Sequence, residues 1–155
     1  MKVDVYIAAE DKQPKRRERW TGYVIRAEVD GKEAERIGTR FSGATLFNAT
    51  IMTIVEVLDR FTRPAEITIH LENSWIIGNL TTDKSGKRVL DLWQERGWKT
   101  TRGAQVKNKD EWQRLYNKIR VFEHSGGVFH FERLDEDSKY RDRILFEIKR
   151  QRKEV

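Results

Sequence analysis

The chain has no cysteine, which excludes disulfides, thiolate-held zinc, iron–sulfur clusters and thiol catalysis. Histidine is scarce too: His70, His124 and His130 are the three present, and they show no metal-ligand spacing. His70 and His130 fall within strand patterns, so they are expected to be structural. No apolar run approaches the ~20 residues that span a bilayer. The N-terminal stretch MKVDVYIAAEDK lacks the apolar core of a signal sequence. No phosphate loop, nucleophile motif or dinucleotide fingerprint occurs. The expectation is a cytoplasmic protein with no membrane attachment.

Charge is what the sequence has in quantity. Lys and Arg number 31 against 25 Asp and Glu, giving a net charge of +6, and 36% of the 155 residues are charged. Such a balance favours polyanionic partners through screened attraction and counterion release. With 37% hydrophobic and 10% aromatic residues the composition is globular. A chain of this length is expected to form one domain, residues 1–155, with a sizeable core.

Residues 2–9 alternate, with Val3, Val5 and Ile7 on one side and Asp4, Tyr6 and Ala8 on the other, the period of a strand. A basic loop (10–19) follows, broken by Pro14. Residues 20–29 and 33–41 read as a hairpin around Asp30-Gly31-Lys32, since Asp-Gly tolerates the positive φ angles of tight turns. The period then changes. Phe47, Ile51, Ile54, Leu58 and Phe61 form a helical stripe behind Thr45, a natural N-cap, and Pro64 ends it. Strand four covers 65–72 and a short helix 73–80, and the stretch 89–98 holds another helix that ends near Gly97. Asn108 and Glu111 have the spacing of a capping box, opening a helix with Trp112, Leu115, Tyr116 and Ile119 inward. Strand five covers 128–133. Ser138 caps a last helix to about Gln151, with Tyr140, Ile144, Leu145 and Ile148 inward, and the basic tail 149–155 is a frayed end. The fold class is mixed α/β, a five-stranded mixed sheet in the order βββαβ-helices-βα, flanked by helices.

The stretch WQERGWKTTRGAQVKNKDEWQRL (93–115) and this element order resemble the type 1 ribonuclease H family. Trp93, Gly97, Trp98, Lys99, Val106, Lys107, Asn108, Trp112 and Leu115 match that family's handle and following helix, and residues 72–76 look like a softened Asp-Ser-x-Tyr-Val segment. The resemblance covers roughly residues 3 to 150. It implies a ribonuclease-H-like fold and cleavage of the RNA strand of hybrids with two Mg²⁺ ions. Two such ions clamp the attacking and leaving oxygens and need about four carboxylates as hard ligands.

Traced one at a time, the carboxylates implied by the resemblance are incomplete. Ala8 stands at the first position, and Phe47, or Asn48 with a one-residue slip, at the second. Glu72 takes the third and Asp142 the fourth. The loop histidine has no counterpart in 133–139. These are remnant catalytic residues, and Glu10 is a speculative third ligand if strand one runs on. No cofactor is expected, with Mg²⁺ or Mn²⁺ entering only if the site has been rebuilt; metal ligands stay unassigned.

The bases fall into two groups. Lys12, Lys15, Arg16, Arg17 and Arg19 follow strand one and serve either as phosphate contacts or as a solvated loop. Arg96, Lys99, Arg102, Lys107 and Lys109 gather in the handle-like region (89–109), which in the family grips the DNA strand. Asn108 matches a family phosphate contact, or simply caps its helix. Ser42, Gly43 and Ala44 stand where the family has groove-reading polar residues. Trp75 and Trp112 are expected in the core, Trp93 and Trp98 under the handle, and Trp20 is the tryptophan with the best chance of exposure. The leading expectation is a catalytically degenerate, basic nucleic-acid-binding protein for hybrid or other duplex. A protein-interaction module and an active metal-dependent ribonuclease with rearranged carboxylates are the alternatives. Oligomeric state is left open.

Overall fold

The computed structural model of the chain describes residues 1–154. The elements follow in the order β1 (Lys2–Ala9), β2 (Arg17–Val29), β3 (Lys32–Ala44), α1 (Leu46–Leu58), β4 (Glu66–Leu71), α2 (Ser74–Leu80), α3 (Val89–Glu95), α4 (Lys109–His124), β5 (Val128–Arg133) and α5 (Lys139–Glu154). The five strands form one sheet ordered β3-β2-β1-β4-β5. β1 pairs antiparallel with β2, and β2 with β3, whereas β1, β4 and β5 run parallel.

The hairpin forms where Asp30 and Gly31 take φ of 52° and 77°, the double positive pair that matches strand twist. Its strands are longer than expected, because the ladder continues to Arg17 opposite Ala44. The hairpin therefore absorbs residues 17–19 of the expected basic loop.

Alternation in β1 splits the molecule into two layers. Val3, Val5 and Ile7 join Ile67, Ile69 and Leu71 of β4 beneath α1 and α4, with Ile51, Ile54, Leu58, Trp112, Leu115 and Ile119 facing them. Tyr6 and Ala8 face the other way, onto Ile144 and Ile148 of α5. Gly22 on β2 lets that helix sit close, since a Cβ there would lie 2.7 Å from Ile144 Cγ2. Leu145 is only half-buried, one position off that stripe. α5 continues through the residues expected to fray and reaches Glu154; Val155 lies outside the described residues.

Thr45 caps α1 as expected, its Oγ1 accepting from the Asn48 N–H at 3.1 Å. Asn108 does not cap α4 through its side chain. It takes φ 61° and ψ 34°, a left-handed conformation that asparagine tolerates better than most residues. A turn, not a capping box, therefore starts α4. α3 stops at Glu95, just short of the expected end near Gly97, because Gly97 and Trp98 both turn left-handed at φ 68° and 63°. Among the described residues no helix is long and apolar enough to cross a membrane.

Candidate nucleic-acid interface and cleft

The handle is built on the end of α3. The Trp98 N–H donates to Trp93 O at 2.7 Å and the Gly97 N–H to Gln94 O at 3.2 Å, the paired bonds of a Schellman close. The two indoles pack at 6.2 Å, and Trp98 packs edge-on to Tyr116. From there the chain makes a small hairpin: Val106 N–H donates to Trp98 O at 3.0 Å, and Thr100 N–H to Ala104 O at 2.7 Å. Trp98 and Val106 are buried. Arg96, Lys99, Arg102 and Lys107 are exposed, while Asn108 and Lys109 are half-buried. The apolar residues fix the loop, and its cations face solvent.

The basic loop after β1 is held from inside. Arg19, expected among the loop cations, is fully buried. Its guanidinium donates to Ala44 O (3.0 Å), Gln13 O (2.8 Å), Lys15 O (2.5 Å) and Asp11 Oδ1 (3.2 Å). The planar five-donor fork suits such a cage of carbonyls. Arg16 bonds Gly43 O at 3.0 Å, and Arg17 lies 3.7 Å from Asp11. Lys15, Arg16 and Arg17 stay exposed. Since Gly43 and Ala44 carbonyls accept from arginines, the stretch 42–44 braces the loop.

Trp75, expected in the core, is 57% exposed. α2 spans only seven residues and buries Ile76, Asn79 and Leu80, so Trp75 lies one position off its inward face. Its ring rests on Phe47 and Trp112 at 5.1 and 6.0 Å. Trp112 is fully buried as expected, and Trp20 is half-buried against Phe41.

At the C-terminal ends of β1 and β4 lies a cleft of about 220 Å³ lined by residues including Ala8, Ala9, Lys12, Thr50, Glu72 and Arg133. Glu72 Oε1 accepts from the Ala9 N–H at 3.1 Å. Its Oε2 accepts from Arg141 Nε at 3.0 Å and lies 3.9 Å from Lys12 Nζ. Asp142 is exposed, and its backbone N–H donates to Ser138 O at 3.2 Å. Glu10 turns to the other side, accepting from the Trp20 N–H at 3.0 Å and pairing with Arg152. Ala8 is buried against α5, and Phe47 packs on aromatic rings. Among the described residues no group of three or more His, Cys, Asp or Glu could hold a metal ion. These side chains do not fit a pair of divalent cations.

The remaining titratable cluster lies on the α5 face. Tyr6 stacks between His70 (4.3 Å) and Tyr140 (3.9 Å). Burial, reinforced by nearby Asp4, pushes its phenol up to about 12. His70 Nε2 lies 3.0 Å from Asp4 Oδ1, and His130 Nε2 3.0 Å from Glu66 Oε1, so both histidines have structural partners. Sequence reasoning missed a buried Arg88. It donates to both oxygens of Glu123 at 2.9 and 3.0 Å and to Leu80 O, tying the start of α3 to the end of α4.

No family model matches the chain. Curated relatives do. A ribonuclease H of Oleidesulfovibrio alaskensis is 32% identical over 52% of this chain and 49% of its own length. A ribonuclease HI of Xylella fastidiosa is 30% identical over 61% and 58%. A ribonuclease H of Herminiimonas arsenicoxydans is 29% identical over 74% and 71%. The chain thus spans about half the length of the first two relatives. Among solved structures, RNase H1 from Halobacterium salinarum superposes with a TM-score of 0.54 at 13% identity, over 97% of this chain and 99% of that one. The foamy viral protease-reverse transcriptase in complex with RNA/DNA hybrid gives 0.64 at 10% identity, over 92% and 18%. The fold is ribonuclease-H-like α/β. Over part of its length the chain is similar in sequence to ribonucleases H.

Proposed function

We propose that this chain is a catalytically degenerate ribonuclease-H-like protein that binds nucleic acid, an RNA/DNA hybrid or another duplex, without cutting it. In this reading residues 1–155 act as one domain in the cytoplasm. One observation carries it. Two anchored basic loops, Lys15–Arg17 and the handle with Arg96, Lys99, Arg102 and Lys107, carry exposed cations, while Glu72 in the cleft at the ends of β1 and β4 is already paired with Arg141. Exposed Trp75 adds an aromatic face on which a base or sugar can stack. The likeness to a reverse transcriptase described in complex with RNA/DNA hybrid favours the same class of ligand.

The test is fluorescence anisotropy with labelled hybrid, duplex RNA, duplex DNA and single strands across a salt series. About five phosphate contacts would give log K falling with log salt at a slope of about −4 to −5. Alanine at Lys99 and Arg102 together should flatten the slope by about two. Failure to bind any of these even at low salt would end the proposal and favour a protein partner.

A further inference from the structure

The cleft at the ends of β1 and β4 does not fit the two-metal chemistry that the resemblance implies, and that disagreement has a positive counterpart. We propose that side-chain cations take over the job there: a backbone phosphate of the bound strand is held by Lys12 and Arg133, with no divalent ion. This rests on the nucleic-acid-binding reading above.

Two cations and two acids are linked at the cleft, and a third cation, Arg133, lines it. Arg141 is committed to Glu72 at 3.0 Å. Lys12 is shared loosely between Glu72 at 3.9 Å and the largely exposed Glu136 at 3.3 Å. Exposed pairs of that kind are weak and give way to a better partner. Arg133 donates through Nη1 to the Ser74 hydroxyl, which leaves most of its five donors for an anion. Lys12 and Arg133 both line the cleft, alongside Ala8 and Ala9 of β1. A doubly charged metal would meet Glu72 alone, and only after displacing Arg141 from it. A phosphodiester oxygen meets a lysine and an arginine. Charge-assisted bonds from these donors are among the stronger ones available to a phosphate.

The signs of three effects separate this arrangement from a metal site. At matched ionic strength, affinity for a labelled RNA/DNA hybrid should be the same with Mg²⁺ or with EDTA. Lys12→Ala with Arg133→Ala should lower affinity about tenfold, as expected for two lost phosphate contacts. Glu72→Gln should raise affinity, because it removes a negative charge and frees Arg141. Tighter binding with Mg²⁺, or weaker binding in Glu72→Gln, would overturn the proposal. If the handle variants lose affinity while the cleft double variant does not, the cleft proposal fails and the binding function stands. If the wild type binds no nucleic acid, inorganic phosphate becomes the probe. Shifts of the Ala9, Lys12 and Asn73 amide resonances, lost in the double variant, would keep the cleft site, and unmoved resonances would dismiss it.

Discussion

Arg141 Nε donates to Glu72 Oε2 at 3.0 Å across 69 residues of sequence, tying the first turn of α5 to the end of β4. Both side chains are about one-fifth exposed, so the pair is neither fully screened nor stranded in the interior. A double-mutant cycle with Arg141→Met and Glu72→Gln should return a coupling of about 1–2 kcal/mol, in the range of hydrogen bonds to charged groups. Urea melts of the four proteins give the number. A coupling near zero would make this an ordinary surface contact.

Arg19 should matter more to stability than any exposed base. Its removal leaves the Ala44, Gln13 and Lys15 carbonyls and Asp11 without their donor. Arg19→Met should cost roughly 3–5 kcal/mol, the penalty for breaking a buried charged network from one side. Arg17→Met, nearby but exposed, should cost about 0.5 kcal/mol or less. The shift in urea midpoint for each variant checks the contrast.

Much of the fold was legible, and the misses share a physical cause. Strand alternation in β1, the Asp-Gly turn and the Thr45 cap are local features, and each formed as its residues dictate. Arg19 was read as one more cation of a charged run, because four acceptors from Asp11, Gln13, Lys15 and Ala44 converge only in three dimensions. Trp75 reads as core because it adjoins Ile76 and Ile77 in a short, mainly apolar helix; a helix of two turns cannot bury every side, and Ile76 and Leu80 take the inner one. Asn108 and Glu111 have capping-box spacing, yet the preceding hairpin delivers the chain to α4 in a left-handed turn. Ala8 and Phe47 stand in the sequence where the resemblance implies carboxylates. The direction of Glu10, toward Arg152 and the Trp20 amide, could not be read there.

Trp75 should be the tryptophan most open to an aqueous quencher, as Trp98 and Trp112 are buried and Trp20 and Trp93 half-buried. Acrylamide quenching should fall in Trp75→Phe, and nucleic-acid binding should protect Trp75 in the wild type. Unchanged quenching in that variant would return Trp75 to the interior.

Trp112 contacts the rings of Phe47, Trp75 and Trp93, and its Nε1 has no hydrogen-bond partner among the described residues. Trp112→Ala should destabilise by about 3–5 kcal/mol through lost burial and a cavity. Trp112→Phe sacrifices no hydrogen bond and should cost well under half as much. Equal losses in chemical denaturation would mean that the indole N–H has a role not visible in its contacts.

The Tyr6 phenol, raised to about 12 from an ordinary 10.0, makes stability fall in strong alkali. The unfolded phenol ionises first, so between about 10 and 12 the folded state holds the extra proton and loses stability as pH rises. Below pH 10 its contribution is complete. Tyrosinate absorbance should show a late-titrating phenol that vanishes in Tyr6→Phe, and that variant should lose less stability above pH 10 than the wild type.

The most direct test of the account follows binding and strand integrity together on one labelled RNA/DNA hybrid, with Mg²⁺ and then Mn²⁺ present. The account predicts a salt-sensitive complex in which the RNA strand stays intact. Cleavage of the RNA strand that disappears in Glu72→Gln or Asp142→Asn would contradict it.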